Sequence, residues 1–204
     1  ECLMADSSMI PGSARDGVRE RIVAAARSEF AESGFGAASV RTIAERAATT
    51  AAMINYYFGG KQALYDTVVA DAQSRLLKRL SAAVAEGDRA GLPVRLALAH
   101  FDFLVEERDL QRLLLRQLID RGDVVRDSAA AIVGPLRELL EQHFGDRDVA
   151  RDLAISVFGA ISGYFIYEPV LGAFLGEDPL SPERLALRRR HVAELTTLLE
   201  RSTS

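Results

Sequence analysis

Cysteine is nearly absent from this chain, since Cys2 is the one cysteine among 204 residues. A lone cysteine excludes an internal disulfide and any metal site made of several cysteines. The three histidines, His100, His143 and His191, stand far apart in the sequence and form no paired metal-ligand motif. The chain also lacks a phosphate-binding glycine loop and a nucleophile elbow. We therefore expect no metal, no cofactor and no enzymatic activity.

Long hydrophobic runs are missing as well. The longest stretch without charge, residues 153–167, has 15 residues and is interrupted by serines and glycines. A membrane-spanning helix needs about 20 mostly apolar residues, so we predict no membrane association and a cytoplasmic location. Residues 1–16 lack the apolar core of a signal peptide and are expected to be a disordered leader or an added remnant.

Positive charge is not in excess. The chain carries 25 basic and 29 acidic residues, a net charge of −4, which argues against a protein that coats nucleic acid without specificity. Residues 15–62, however, hold seven basic and five acidic residues, a charge of +2, so the remainder carries −6. This mild asymmetry favours an N-terminal part that faces phosphate.

Helical periodicity is what the chain does have. Apolar residues recur at helical spacing throughout, and no convincing alternation marks a strand. The pattern predicts an all-α fold with about nine helices. Their expected positions are about 18–33, 40–47, 51–58, 61–85, 93–107, 110–120, 124–144, 149–174 and 183–201. The fourth helix would span roughly 37 Å at ~1.5 Å per residue, enough to join two domains.

The most informative segment is 40–65, in which two short helices flank a tight polar turn at 48–50. Ser39 and Thr50 can each cap the helix that follows. This pattern is typical of a helix-turn-helix, whose second helix enters the DNA major groove. No acidic residue lies between Arg46 and Gln62, so the second of these helices can approach DNA without repulsion.

Two residues at the end of this segment are suited to phosphate. Tyr57 can donate its hydroxyl, and Lys61 lies beside the free backbone N–H groups that begin the next helix. The segment resembles the DNA-binding domain of the TetR/AcrR family of bacterial transcriptional regulators. The stretches that carry the resemblance are Ile22, Ala25-Ala26, Phe30-Ala31-Glu32-Ser33-Gly34-Phe35, SVRTIAERA at 39–47 and YFGGKQAL at 57–64. Together they cover about 45 residues.

The resemblance implies a helix-turn-helix domain at 17–62 and a ligand-binding and dimerisation domain at 63–204. It also implies a set of DNA contacts. The residues closest to the bases would be Ala51, Ala52, Met53 and Asn55. The residues that contact phosphates would be Thr50, Tyr57 and Lys61, with Arg41 or Thr42 reaching the backbone from the preceding helix. Tyr56 is grouped with them but is expected mainly to pack, and Thr50 can equally be a simple cap.

The sequence departs from the family pattern in three places. Ala48 replaces the usual turn glycine, so the turn either avoids a positive φ or carries strain. Gly60 replaces the common serine or asparagine cap. The bare face at 51–53 suggests contacts to thymine methyl groups and readout of DNA shape, and Asn55 alone offers a bidentate partner for adenine.

The run at 153–167 is apolar on every helical face and should be buried all round. One subunit can cover one side and a partner the other, with Gly159 and Gly163 permitting close helix approach. We predict a two-fold, four-helix dimer interface from this helix and the last one, against the alternative of burial within one chain. The expected interface residues are Phe158, Gly159, Ile161, Ser162, Gly163, Phe165, Leu195 and Leu198.

The helix at 93–107 has two apolar stripes, so one of them could line a cavity. A mostly apolar pocket with a few polar groups is typical of a small-molecule site. The candidate lining residues are His100, Phe101, Phe103, Arg116, Gln117, Tyr164, Tyr167 and Glu168. For each residue alone, core packing or surface exposure is the competing interpretation.

The leading hypothesis is a homodimeric repressor that a small apolar or amphipathic effector releases from a near-palindromic operator in double-stranded DNA. Activation of transcription is compatible with the same features. One alternative is a helical ligand-binding or enzymatic protein that retains a helix-turn-helix without regulated DNA binding. Another is a dimeric interaction module that has no small-molecule site.

Overall fold

The computed structural model describes residues 12–120 and 122–202, with side chains for 17–113, 115 and 133–202. Within these residues the chain forms ten α-helices and no strand, which confirms the predicted all-α fold. The helices are α1 (Gly12–Ala37), α2 (Val40–Arg46), α3 (Ala51–Phe58), α4 (Lys61–Ala85), α5 (Leu92–Glu106), α6 (Arg108–Asp120), α7 (Gly122–Phe144), α8 (Arg147–Ile166), α9 (Glu168–Leu175) and α10 (Pro182–Ser202).

Two of the predicted helices differ most from the observed ones. The single helix expected at 149–174 is two helices, because Pro169 lacks a backbone N–H and fits the first turn of a new helix better than the interior of an old one. The described part of the chain therefore has ten helices where about nine were expected. Helix α1 begins at Gly12 and so includes the last five residues of the predicted leader at 1–16. The first eleven residues of that leader lie outside the described part.

The N-terminal helices pack around a small core. Ile22, Phe30, Ile43, Ile54 and Leu64 are each fully buried there. The edge of one aromatic ring meets the face of another where Phe30 contacts Tyr65, with ring centroids 5.0 Å apart. This packing fixes the angle at which α2 and α3 leave α1 and α4.

Helix α4 belongs to two cores at once. Its first half, through Leu64, Val68 and Ala72, is buried with the N-terminal helices. Its second half, through Leu80 and Ala83, joins a separate cluster formed with α5, α7 and α8. A displacement of α4 therefore disturbs the packing of both halves of the chain.

The turn between α2 and α3 contains Ala48 with φ +49°, the one non-glycine residue with positive φ in the described part of the chain. The expectation of either an ordinary turn or a strained one is thus settled in favour of strain. An L-residue in the left-handed region is less stable by about 1–2 kcal/mol. Glycine has no Cβ and avoids that clash.

We expect Ala48→Gly to stabilise the protein by about 1 kcal/mol, because relief of the clash outweighs the larger backbone entropy that glycine loses on folding. Urea denaturation followed by circular dichroism measures the change. The matched control is Ala52→Gly, an exposed position inside α3, where glycine should destabilise by about 1 kcal/mol. Equal losses of stability in Ala48→Gly and Ala52→Gly would contradict strain at Ala48.

By length and composition alone, helix α8 is long and apolar enough to cross a membrane. It packs against α5, α7 and α10, and Leu153, Ile161 and Phe165 are buried in those contacts. Arg147 and Asp148 begin the helix. We interpret α8 as a core helix whose second face is open in the single chain.

Candidate nucleic-acid interface

Side-chain caps hold the two helices of the helix-turn-helix, as predicted. The Thr42 N–H donates to Ser39 Oγ at 3.0 Å, and the Met53 N–H donates to Thr50 Oγ1 at 3.3 Å. Inside the turn, the Thr49 N–H donates to the Ala44 carbonyl at 2.9 Å. The start of α3 is therefore fixed by local bonds, and Thr50 remains exposed at that start.

Helix α3 presents an uncharged face of small side chains. Ile54 is buried and anchors the helix, whereas Ala51, Ala52 and Asn55 are exposed and Met53 is half-buried. With no acidic residue in this helix, nothing on the face repels phosphate. The face has room for close contact with a base edge, and Asn55 supplies both a donor and an acceptor.

The two tyrosines of α3 occupy different environments. Tyr56 is 73% exposed, while Tyr57 is half-buried and packs against the core. Since Ile54 and Phe58 turn one side of the helix toward the core, Tyr56, two positions after Ile54, projects to the opposite side. The expectation that Tyr56 mainly packs is therefore wrong, and its hydroxyl is the more accessible of the two.

Lys61 connects the start of α4 to the end of α1. Its Nζ donates to the Gly36 carbonyl at 3.2 Å and lies 4.7 Å from the centroid of the Phe35 ring. An ammonium has three N–H groups, so further donors remain for a phosphate. Gly60 precedes it with φ +127° and no side-chain cap, which leaves the N–H groups of this helix start uncapped.

Helix α2 carries the other residues that are predicted to contact the DNA backbone. Arg41 Nε lies 2.9 Å from Glu45 Oε1 in an exposed pair, and such surface pairs are weak enough to exchange for phosphate. Thr42 Oγ1 lies 2.8 Å from Ser39 Oγ. Arg46, by contrast, is paired with Glu32 at 2.8 Å and contacts Glu29 as well.

An ion-pair network joins the N-terminal helices to the rest of the chain. Arg27 of α1 lies 3.1 Å from Asp71 of α4 and 3.5 Å from Glu107, which follows α5. Arg75 of α4 lies 2.9 Å from each of the same two carboxylates. The four side chains alternate in charge and connect three elements. No periodicity or motif in the sequence indicates this network.

The predicted dimer residues divide between two faces of α8 and α10. Ile161 is 1% exposed and Phe165 is also buried, because both pack in the chain's own core; they are therefore not available to a partner. The open face carries Phe158, Gly159 and Leu198, with Ser162, Gly163 and Leu195 half-buried. Along it, Ile155, Gly159, Gly163 and Ile166 recur at helical spacing.

Helix α9 extends the same open surface. None of its residues is buried, and Phe174 is 84% exposed. With Tyr167, Val170 and Leu187, it gives the single chain a broad apolar surface. Surfaces of this kind mark interaction sites in soluble proteins.

A cavity of about 240 Å³ lies between α4, α5, α7 and α8. Among the predicted pocket residues, only His100 lies on its described wall. Phe101 and Phe103 are in the main core instead, since both rings are fully buried there. The side chains of Arg116 and Gln117 lie outside the described part of the chain. Glu168 begins α9, away from this wall.

Tyr164 and Tyr167 line a different groove, between α8, α9 and α10, together with Arg184 and Arg188. The Tyr164 hydroxyl donates to the Pro179 carbonyl at 2.5 Å, which holds the ring away from the cavity. Sequence periodicity placed both tyrosines on the helix expected at 149–174 but could not tell which neighbouring helices they face. The wall residues that the sequence did not indicate are mostly aliphatic, such as Leu76 and Leu80 of α4.

The three histidines remain separate in the fold. His100 Nε2 lies 3.2 Å from Ser162 Oγ, and His143 Nε2 lies 3.2 Å from Glu200 Oε1. His191 is exposed on α10. Across the described residues, no group of three His, Cys, Asp or Glu side chains could hold a metal ion.

Comparison with known proteins agrees with this architecture. The family model described as "Bacterial regulatory proteins, tetR family" matches residues 22–68. YttP of Bacillus subtilis (strain 168), whose name describes a probable HTH-type transcriptional regulator, is 29% identical over 112 residues. That alignment covers 53% of this chain and 54% of YttP, so the chain spans about half the length of this curated relative.

Solved structures extend the likeness to the whole fold. SCO4942 from Streptomyces coelicolor superposes with a TM-score of 0.69 at 25% identity, over 89% of this chain and 97% of that one. A TetR-like transcriptional regulator from Rhodococcus sp. RHA1 gives 0.69 at 20% identity, over 94% and 96%, which supports the fold alone. The capped helix-turn-helix lies within the residues that the family model matches, so residues 22–68 belong to the DNA-binding domain of the TetR family of bacterial regulatory proteins.

Proposed function

We propose that the chain is a homodimeric, cytoplasmic repressor that binds a near-palindromic operator and is released from it by a small apolar or amphipathic effector. The single observation that carries the DNA-binding part is the exposed, acid-free face of α3, held by two caps and a buried Ile54. Such a face is what a recognition helix needs in order to enter a major groove.

The contacts divide into base and phosphate contacts. Ala51, Ala52, Met53 and Asn55 face the bases, with Asn55 as a bidentate partner of adenine and the apolar groups against thymine methyls. Phosphates are held by exposed or half-exposed donors around them. These donors are Arg41, Thr42, Thr50, Tyr56, Tyr57 and Lys61.

Dimerisation would place two α3 helices on successive half-sites. The open apolar face of α8 and α10 supports this proposal, because its small residues permit close helix approach and its large ones are unburied in the single chain. A two-fold interface buries the same patch on both subunits. The operator would then contain two half-sites about one turn of the DNA helix apart.

The effector response would pass through α4. This helix begins at Lys61 and contributes Leu76 and Leu80 to the cavity wall. A ligand that displaces these leucines also displaces the end of α4 that meets DNA. Binding energies must be reciprocal, so operator DNA should weaken effector binding by the factor with which effector weakens operator binding.

Fluorescence anisotropy tests the DNA-binding proposal. The labelled duplexes are the region upstream of the chain's own gene and a shuffled duplex of the same composition, each titrated at several salt concentrations. We expect a preference of roughly 1,000-fold or more for the operator. Equal affinity for the two duplexes would reject specific repression and leave a helical protein that retains its helix-turn-helix without regulated DNA binding.

Lys61→Met should lower the slope of log affinity against log salt by about 0.9, because one phosphate contact is lost. Methionine keeps an unbranched side chain near Phe35 and removes the charge. The chain has one other lysine, Lys78, which is exposed further along α4. Lys78→Met is therefore the matched control, with an unchanged slope expected. A similar slope for both variants would remove Lys61 from the phosphate contacts.

A further inference from the structure

The wall of the cavity between α4, α5, α7 and α8 is almost entirely hydrocarbon. Of its fifteen described lining residues, thirteen are apolar, and Leu76, Leu96, Leu140 and Leu153 are typical of them. The two exceptions are His100 and Thr196. The described wall therefore contains no acidic, lysine or arginine side chain.

Both polar side chains already have partners. Thr196 Oγ1 donates to the Val192 carbonyl at 2.8 Å, and His100 Nε2 lies 3.2 Å from Ser162 Oγ. The His100 ring also stacks on Phe158, with ring centroids 5.1 Å apart. Burial lowers the pKa of His100 to about 4, so the ring is neutral near pH 7. A ligand carboxylate would lose its hydration and find no counter-charge on the described wall.

The cavity is large enough for a small molecule. Its volume of about 240 Å³ is many times the ~10–15 Å³ of cavity volume that one water needs. An alkyl chain therefore has room against the apolar wall.

We propose that this cavity binds an uncharged, mostly hydrocarbon small molecule and rejects the matching carboxylate. The molecule would be the effector of the regulator proposed above. Its effect on operator binding rests on that proposed function. Binding itself needs no DNA, so the two can fail separately.

The test compares 1-octanol with octanoate, which share an alkyl chain length and differ in charge. Isothermal titration of the full-length protein at pH 7.5 should give saturable binding of one 1-octanol per chain. Octanoate should bind at least roughly 100-fold more weakly. Octanoate affinity equal to or above that of 1-octanol would overturn the charge assignment, and no binding of either would overturn the cavity assignment.

Two variants at one wall position locate the ligand. Ala154 lines the cavity and is half-buried, so Ala154→Val and Ala154→Leu add progressively more bulk at the wall. Affinity for 1-octanol should fall roughly 3-fold and then 10-fold or more. The control Ala70→Leu adds the same bulk at an exposed position of α4 and should bind normally. Unchanged affinity in both folded Ala154 variants would place the ligand elsewhere.

Anisotropy with operator DNA separates the two proposals. If 1-octanol binds and also releases the operator, both stand. If 1-octanol binds in the titration but leaves operator affinity unchanged, the ligand class of the cavity holds and the ligand-responsive part of the proposed function fails. If the operator is bound no better than the shuffled duplex, that result counts against the DNA proposal and leaves the ligand class of the cavity untouched.

Discussion

Gly159→Leu is expected to convert the proposed dimer into monomers and to weaken operator binding by roughly 100-fold or more, because each monomer would then bind one half-site alone. Gly159 lies midway along the open face of α8. A Cβ added there meets nothing within 4 Å inside its own chain. The single chain therefore leaves open space where a side chain would begin, and replacing a helical glycine should stabilise the helix by about 1 kcal/mol.

The expected loss arises between subunits. In the proposed dimer, the smooth stripe of Gly159 and Gly163 would let two α8 helices approach closely, and a leucine on that stripe would hold them apart. Analytical ultracentrifugation at micromolar concentration measures the mass, and anisotropy measures operator affinity. Ala70→Leu, exposed on α4, should remain dimeric. A dimeric Gly159→Leu protein with normal affinity would show that this face is not the interface.

Glu107→Gln is expected to reduce the effector's influence on operator binding from a factor of roughly 5–150 to below about 3. Glu107 follows α5, at the edge of the domain that contains the cavity. It joins Arg27 of α1 at 3.5 Å and Arg75 of α4 at 2.9 Å. Without its charge, the N-terminal helices lose an ion-paired connection to α5, so a shift at the cavity is transmitted less completely.

The neighbouring residue gives a matched control. Glu106 forms a bidentate pair with Arg79 of α4, with one contact at 2.8 Å, and has no ion pair to α1 within the described residues. Glu106→Gln should therefore keep the effector response. A double-mutant cycle of Glu107→Gln with Arg27→Gln, measured on the effector's influence on operator binding, should give a coupling energy clearly different from zero. An equal loss of response in Glu106→Gln and Glu107→Gln would show that the connection to α1 is not what matters.

Helix ends and the inner faces of helices were predictable from the sequence. Helix ends are marked by residues that bond to nearby backbone, namely Ser39, Thr50 and the glycine pair before Lys61. The structure places α2, α3 and α4 at or close to the predicted bounds. The core residue Ile54 was also predictable, because helical periodicity assigns it to the inner face. Such features depend on residues within one or two turns.

Side-chain partners distant in the sequence were not predictable. Arg27 and Glu107 are 80 residues apart, and no periodicity indicates that pairing. The same limit explains why Phe101 was assigned to a pocket although it lies in the core, since an apolar residue fits either environment. Tyr56 was misplaced for a different reason: two adjacent aromatic residues give no sign of which one faces the core.

The sharing of α4 between two cores has a thermodynamic consequence. Since Leu64 and Leu80 belong to the same helix but to different clusters, the two halves should unfold together in one cooperative transition. A ligand in the cavity then stabilises the distant N-terminal helices as well, by about 2.7 kcal/mol at a hundredfold excess over its dissociation constant. The effector would thus make the protein harder to melt while making it a poorer binder of DNA, so heat resistance and operator affinity would change in opposite directions.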